Sequence, residues 1–198
     1  MSNNVISVQQ FFVGKRFTIP HYQRDYAWTK KQIQDLLSDI EEAIDTNSGH
    51  YLGTVVLAET GTNTFDLVDG QQRISTITLV AHAMLGVLPN NDRFRITFES
   101  NLVEDHDGYK LSFGRNKDFT IALLKGSPIT PETAGQRKLG DAYKYAREHA
   151  EMVLRNNGED KIKELITTLA SMEMISFEAS DTGKAIRMFQ TVNDRGLP

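Results

Sequence analysis

The chain has 198 residues, with 26 Asp plus Glu against 22 Lys plus Arg, and so a net charge of −4 at pH 7. That balance excludes a uniformly basic nucleic-acid coat while leaving room for a local basic pocket. With no cysteine, there is no disulfide framework, no thiol nucleophile and no cysteine-ligated zinc. A mix of 39% hydrophobic and 24% charged residues belongs to a globular domain rather than a disordered one. The first residues carry neither a basic region nor an apolar signal core. The most apolar stretch, residues 77–88, is broken by Thr78, His82 and Gly86 and is too short for a bilayer. A soluble, cytoplasmic protein is the expectation.

In chain order, Ser7 followed by Val8, Phe11 and Phe12 predicts a short opening helix, and Phe17-Thr18-Ile19-Pro20 an extended piece. Thr29 with Gln32 three residues on reads as a capping box. It opens a helix whose apolar face is Ile33, Leu36, Leu37, Ile40 and Ile44. The β-branched stretches 51–59 and 64–68, separated by Gly61-Thr62-Asn63, predict a β-hairpin. Gly70 ends the second strand, and Ile74, Ile77, Met84, Leu85 and Leu88 mark a helix straight after it. Two further strands are expected over 94–98 and 109–113, then a helix over 119–124. Thr130 with Pro131 reads as the start of a helix that Asn156-Asn157-Gly158 stops. A second helical stripe follows at Ile162, Leu165, Ile166 and Leu169. Residues 173–178 predict a strand returning to the first sheet, and Asp181 caps a last helix carrying Ala185, Ile186, Phe189 and Val192. The whole reads as α/β. Because the chain stops straight after a polar turn, we expect it to be part of a longer protein.

Three segments carry chemistry. Asp69-Gly70-Gln71-Gln72-Arg73 joins a strand to a helix, where first-turn N–H groups lack intrahelical partners and the helix dipole adds positive charge. Gly70 lets the backbone approach an anion, Arg73 supplies a planar fork of donors, and Asp69 can hold a divalent cation or polarise a water. Gln71 and Gln72 can orient that water or bond a base. An ordinary turn, with both glutamines and the arginine on a solvated face, fits the same spacing. The second segment, Pro20 to Trp28, gathers His21, Tyr22, Gln23, Arg24, Asp25 and Tyr26 ahead of a helix. Tyr26 and Trp28 can staple that helix to the core and Arg24 can pair with a carboxylate, while Gln23 and Arg24 also suit a phosphate or a base. In the third, Asn193 or Gly196 can simply end the last helix, or Arg195 can close over a ligand. The five histidines show no metal-ligand spacing, and His82 reads as a hydrogen-bonded core residue. There is no Walker-type loop and no G-x-S-x-G elbow; Gly183-Lys184 lacks the strand and glycine-rich turn of one.

Four stretches occur in one order: residues 17–28, Tyr51-Leu52-Gly53-Thr54-Val55-Val56-Leu57, Asp69 through Thr76, and Phe189 through Gly196. In that combination the chain resembles the N-terminal domain of GmrSD-type modification-dependent restriction enzymes, over nearly its whole length. Similar domains occur in other phage-defence proteins, including ones that sense phosphorothioate DNA. The resemblance implies a ParB/sulfiredoxin-like core formed by about residues 1–90 and 172–198, with a variable, mostly helical insertion over about 91–171. It implies binding and hydrolysis of a nucleoside triphosphate with Mg²⁺, coupled to an HNH-type nuclease domain and to modified phage DNA. Carried over by position, Asp69, Gln71, Gln72 and Arg73 are hydrolysis candidates, and Tyr22, Gln23, Arg24, Gly70, Asn193 and Arg195 surround the ligand. Ile74-Ser75 stand where Leu-Thr is usual, a conservative departure. No H-x-x-P or HNH-like stretch is present, so nuclease activity is not expected of these residues. The alternative expectation is a non-catalytic module sensing modified or single-stranded DNA.

Overall fold

The computed structural model describes residues 4–46 and 50–194; for residues 4 and 191–194 it describes only the backbone. The first strand, β1 (Asn4–Ser7), was not anticipated; it runs directly into α1 (Val8–Phe12). Ser7 caps α1 in a full capping box with Gln10, as its position beside an apolar run suggests. Val8, Phe11 and Phe12 are buried, and Phe11 stacks on Phe17 of β2 (Arg16–Thr18) with ring centroids 4.3 Å apart. Helix α2 (Lys30–Thr46) begins where expected. Gln32 Oε1 accepts from the Thr29 N–H at 2.7 Å, and Ile33, Leu36, Leu37 and Ile40 are buried.

The hairpin forms as β3 (Tyr51–Gly61) and β4 (Thr64–Asp69), and α3 (Gln71–Leu85) follows Gly70. Residues 94–98 are not a strand. They lie in α4 (Arg93–Leu102), whose N-cap Asp92 accepts from the Arg95 N–H at 3.1 Å. The alternating Phe94, Ile96 and Phe98 suggested a strand. At i, i+4 spacing on a helix, the two phenylalanines instead stack with centroids 4.3 Å apart. The stretch 109–113 divides into β6 (Gly108–Tyr109), paired with β5 (Glu104–Asp105), and β7 (Leu111–Ser112). Helix α5 (Lys117–Leu124) follows a 3₁₀ turn. The next helix, α6 (Ala134–Ser171), starts later than Thr130 because Thr133 is its cap. At Gly158, with φ 82° and ψ −179°, the helix breaks and a second one runs on to Ser171, so the expected stop at Asn156-Asn157-Gly158 is where α6 kinks. Strand β8 (Glu173–Ala179) and helix α7 (Thr182–Asp194) finish the described chain, with Asp181 Oδ1 accepting from the Lys184 N–H at 2.8 Å.

Six strands form one mixed sheet in the order β1-β8-β3-β4-β2-β7. Strand β8 enters antiparallel to β1 and parallel to β3, as its expected return to the first sheet requires; β3–β4 is antiparallel, and β2 is parallel to β4 and β7. Because side chains alternate across a strand, Val55, Leu57, Phe65 and Leu67 face the main core while Val56, Ala58 and Val68 face the other way. The main core is shared by α1–α6, so residues 91–171 contribute Leu102, Leu139, Ile162 and Leu169 to it. Among the described residues the second face is covered by α7, through Ala185, Met188 and Phe189.

Two polar features brace the main core. His82 Nδ1 lies 2.8 Å from the Tyr143 hydroxyl, joining α3 to α6. Burial, with Arg95 and Arg147 nearby, holds its pKa down to about 4, so it is neutral at pH 7. Asp105 joins the β5–β6 hairpin to β2 by ion pairs with Arg16 and, at 2.9 Å, with the buried Lys110. Burial alone raises the Asp105 pKa. The hydrogen bonds from Lys110, the Asp107 N–H and Arg16 outweigh that and bring it to about 2.

Candidate functional site

The site starts from a defect in the hairpin. Val56 pairs with Asp69 and Leu57 with Leu67, so Val68 is an extra residue that bulges from β4. The bulge aims Asp69 and the following turn at the end of the sheet. Gly70 then takes φ 88° and ψ 5°, and a β-carbon there would sit 3.1 Å from Val55 Cγ2. Glycine is required both for the left-handed backbone and for the close approach. Helix α3 opens at Gln71 with no side-chain cap and no acidic residue in its first turn. Its first intrahelical donor toward the cap is the Ile74 N–H, to the Gly70 carbonyl at 3.0 Å. The N–H groups of Gln71, Gln72 and Arg73 are therefore unused by the helix and available to an anion.

Arg73 is held flat against β3. The β3–β8 register shifts between Tyr51 and Thr54, and Gly53 takes φ 94° within that irregularity. A β-carbon at Gly53 would fall 2.8 Å from Arg73 Nη2, so the guanidinium rests on bare backbone. Nη1 donates to the Thr54 carbonyl at 3.1 Å. Burial lowers the Arg73 pKa, opposed by the Asp69 carboxylate and Tyr51. A guanidinium remains charged under such a shift, so a partly desolvated cation sits beside the α3 N-terminus.

The opposite wall is the loop before α2, and the side chains that fix it are now identifiable. Gln72 is buried, and its Oε1 accepts from the N–H groups of Ala27 (2.7 Å) and Trp28 (3.3 Å). Its Nε2 donates to the Asp25 carbonyl at 3.2 Å. Gln23 Nε2 donates to the bulged Val68 carbonyl at 2.7 Å. The Tyr26 hydroxyl meets Thr76 Oγ1 at 2.7 Å, and burial raises its pKa to about 12. Arg115 reaches the His21 and Gln23 carbonyls, and Lys138 Nζ donates to the Ala27 carbonyl at 3.2 Å. The loop is thus tied to α3, to the 3₁₀ turn before α5 and to α6. Two glutamines expected at the ligand, Gln23 and Gln72, spend their amides on backbone, so both position the wall.

Between the walls lies an open cleft of about 850 Å³, within the range of small-molecule sites. Tyr22, Gln23, Arg24, Asp69, Gly70, Gln71, Gln72 and Arg73 all line it, so the first two sequence segments converge there. Arg24 is exposed and makes no ion pair or hydrogen bond among the described residues; the pairing expected of it falls instead to Arg115, whose Nε lies 3.6 Å from Asp25 Oδ1. Tyr22 is 59% exposed at the rim; burial of its hydroxyl and the nearby Asp66 carboxylate raise its pKa. Asn193 falls within α7, where only its backbone is described, and Arg195 lies outside the described residues. Sequence reasoning did not single out Tyr51, Gly53, Phe189 or Gln190 as lining residues. A glycine inside a β-branched run was the available signal for Gly53, since it often marks a bulge or close approach.

Asp105, His106 and Asp107 place three ligand-type atoms together, but Arg16 and Lys110 already engage Asp105 and none of the three lines the cleft. Asp69 is the one carboxylate in the cleft wall among the described residues.

The family described as the N-terminal domain of the GmrSD restriction endonuclease matches residues 8–198. The chain belongs to that family. Membership in the GmrSD N-terminal family sets it in DNA restriction and defence, among proteins that act on DNA with a nuclease module. No curated protein matches the chain. No helix among the described residues is long and apolar enough to cross a membrane.

Proposed function

We propose that the cleft binds and hydrolyses a nucleoside triphosphate, and that this regulates an HNH-type nuclease module of a restriction protein acting on modified phage DNA. The observation that carries the reading is the convergence of an uncapped helix N-terminus, the desolvated Arg73 and the unpaired Arg24 on one cleft. Three sources of positive potential facing one space suit a polyphosphate better than a neutral ligand. The first-turn N–H groups take phosphate oxygens, Arg73 clasps them from the β3 side, and Arg24 reaches in from the loop. Asp69 fits Mg²⁺, which binds nucleotides through one or two carboxylates and otherwise keeps phosphate and water ligands. Gln71, a neutral amide at the first position of α3, suits orientation of the attacking water. Tyr22, Trp28, Tyr51 and Phe189 supply aromatic surface for a base.

The test is thermal unfolding with and without Mg²⁺-triphosphate, together with a turnover assay across the four nucleotides. A ligand that favours the native state raises the Tm, by about 2.7 kcal/mol of stabilisation at a hundredfold excess over Kd. Arg73→Ala is expected to abolish that rise and the turnover while still folding. A variant that responds as fully as the wild type refutes the site.

A second reading rests on the exposed rim of Tyr22 and Arg24: a non-catalytic module that grips modified or single-stranded DNA by stacking and phosphate contact. DNA affinity that falls steeply with salt, without nucleotide turnover, is its signature.

A further inference from the structure

Behind the inner wall of the cleft lies a second, far smaller space of about 20 Å³, the size of one water. Gln23, Arg24, Gln71 and Gln72 border both spaces, so a single layer of side chains separates them. The pit is lined by polar side chains from three elements that make no side-chain hydrogen bond among the described residues. Asp25 Oδ1 is fully buried and accepts no hydrogen bond; its ion-pair partner Arg115 Nε stands 3.6 Å away, beyond hydrogen-bond length. Asn116 is 5% exposed and makes no capping bond at the start of α5. Ser75 is 2% exposed; Thr76 and Thr78 return their hydroxyls to the carbonyls of Gln72 and Ile74, but among the described residues Ser75 makes no such bond. Gln71 is 7% exposed, and its amide likewise has no partner among them.

Buried polar groups are rarely left unsatisfied, because each costs about 1–3 kcal/mol when it is. Asp25 Oδ1 is such a group, and with the side chains of Ser75, Asn116 and Gln71 around the same water-sized space it supplies what an ordered water needs, two to four partners and room for one molecule. A cation is disfavoured by the Arg115 guanidinium bordering the same pit. We propose that the pit is a built site for one ordered water, and that this water, anchored on Asp25, Ser75 and Asn116, fixes the Gln71 amide in the cleft wall. The first half stands on the pit itself; the second rests on the nucleotide reading. Asp25, Ser75 and Asn116 then act as positioning residues, setting Gln71 without touching the ligand.

Threonine and valine at position 75 have nearly the same shape and differ by the hydroxyl, so they separate packing from hydrogen bonding. A crystal structure of the wild type that resolves ordered waters is expected to show one within hydrogen-bond distance of Asp25 Oδ1. Ser75→Val is expected to lower kcat about tenfold or more with KM and the triphosphate-induced Tm shift preserved, as misplacement of a catalytic partner does; Ser75→Thr is expected to restore it. An empty pit, or Val and Thr variants that behave alike, overturns the proposal. Should the wild type neither bind nor hydrolyse a triphosphate, the nucleotide reading fails by itself. The pit is then judged by the water density and by amide exchange in residues 20–28, faster in the Val variant than in the Thr variant. If neither variant folds, Asp25→Asn against Asp25→Leu makes the same comparison, one keeping an oxygen acceptor and the other not.

Discussion

The two faces of the sheet are unequal. One is buried beneath α1–α6 in a continuous core; the other carries a small cluster of Val56, Ala58, Val68, Ala179 and Ala185 under α7. The cleft opens beside the thinner face, where Ile186, Phe189 and Gln190 of α7 meet the loop and the start of α3. Stability is concentrated on one side and ligand access on the other. Changes in the thick face should therefore move Tm without moving ligand response, and changes around the cleft should do the reverse.

The largest expected effect is in the thick face. Ile77 is fully buried in α3, and Ile77→Ala should cost about 2–5 kcal/mol. Val56→Ala in the thin face removes less apolar volume and should cost about 2 kcal/mol or less. Equal losses, read by denaturant unfolding, would break the comparison. Acid comes next. The His82 pKa is lower in the folded state than the ordinary value near 6.5, so the unfolded chain takes up its proton first. Stability is complete above about pH 6.5 and falls as pH drops toward about 4, by on the order of 3 kcal/mol. His82→Gln should flatten that part of the pH profile, and an unchanged slope would place the acid sensitivity elsewhere.

Gly53→Ala is a smaller and more local perturbation. Left-handed backbone and the contact with Arg73 predict a cost of about 1–2 kcal/mol. Its sharper consequence is that Arg73, though still present, is pushed off its seat, so the triphosphate-induced Tm shift should shrink. Smallest in stability is Arg24→Ala. The side chain is exposed and without a described partner, so unfolding should change by no more than about 0.5 kcal/mol. Nucleotide affinity, measured by calorimetry, should fall about tenfold, as loss of one charge-assisted hydrogen bond predicts.

The elements that could be read from the sequence are those whose cause is local. Ser7, Gln10, Thr29 and Gln32 announce helix starts by hydrogen bonds three residues long. Gly70 announces the corner because only glycine takes its backbone. What escaped depends on distant partners. The Asp92 cap was hidden by a convincing alternation of Phe94, Ile96 and Phe98, and its carboxylate also meets Lys163 at 2.7 Å, seventy-one residues away. Strand character over 109–113 was legible, but its division into β6 and β7 and the two-residue β5 opposite β6 leave no pattern long enough to detect. Within the site, residue types and the corner were legible, but their division of labour was not. Gln71 and Gln72 are neighbours in sequence and both border the cleft, yet Gln72 spends its amide clamping a loop forty-five residues earlier while the Gln71 amide makes no hydrogen bond among the described residues. Only the path of the loop, tied down by Arg115 and Lys138, distinguishes them.

The placement of β8 has a bearing on how the chain acquires its shape during synthesis. Residues 173–179 occupy the slot between β1 and β3, so two strands made early wait for one made late. Ribosomal production is N-terminal first at roughly 5–20 residues per second, and β3 then emerges with one hydrogen-bonding edge open for several seconds. An open edge is a template for pairing with a stray neighbour. Nascent-chain crowding, rather than the stability of the finished molecule, is therefore the stage at which this topology is most exposed to misassembly.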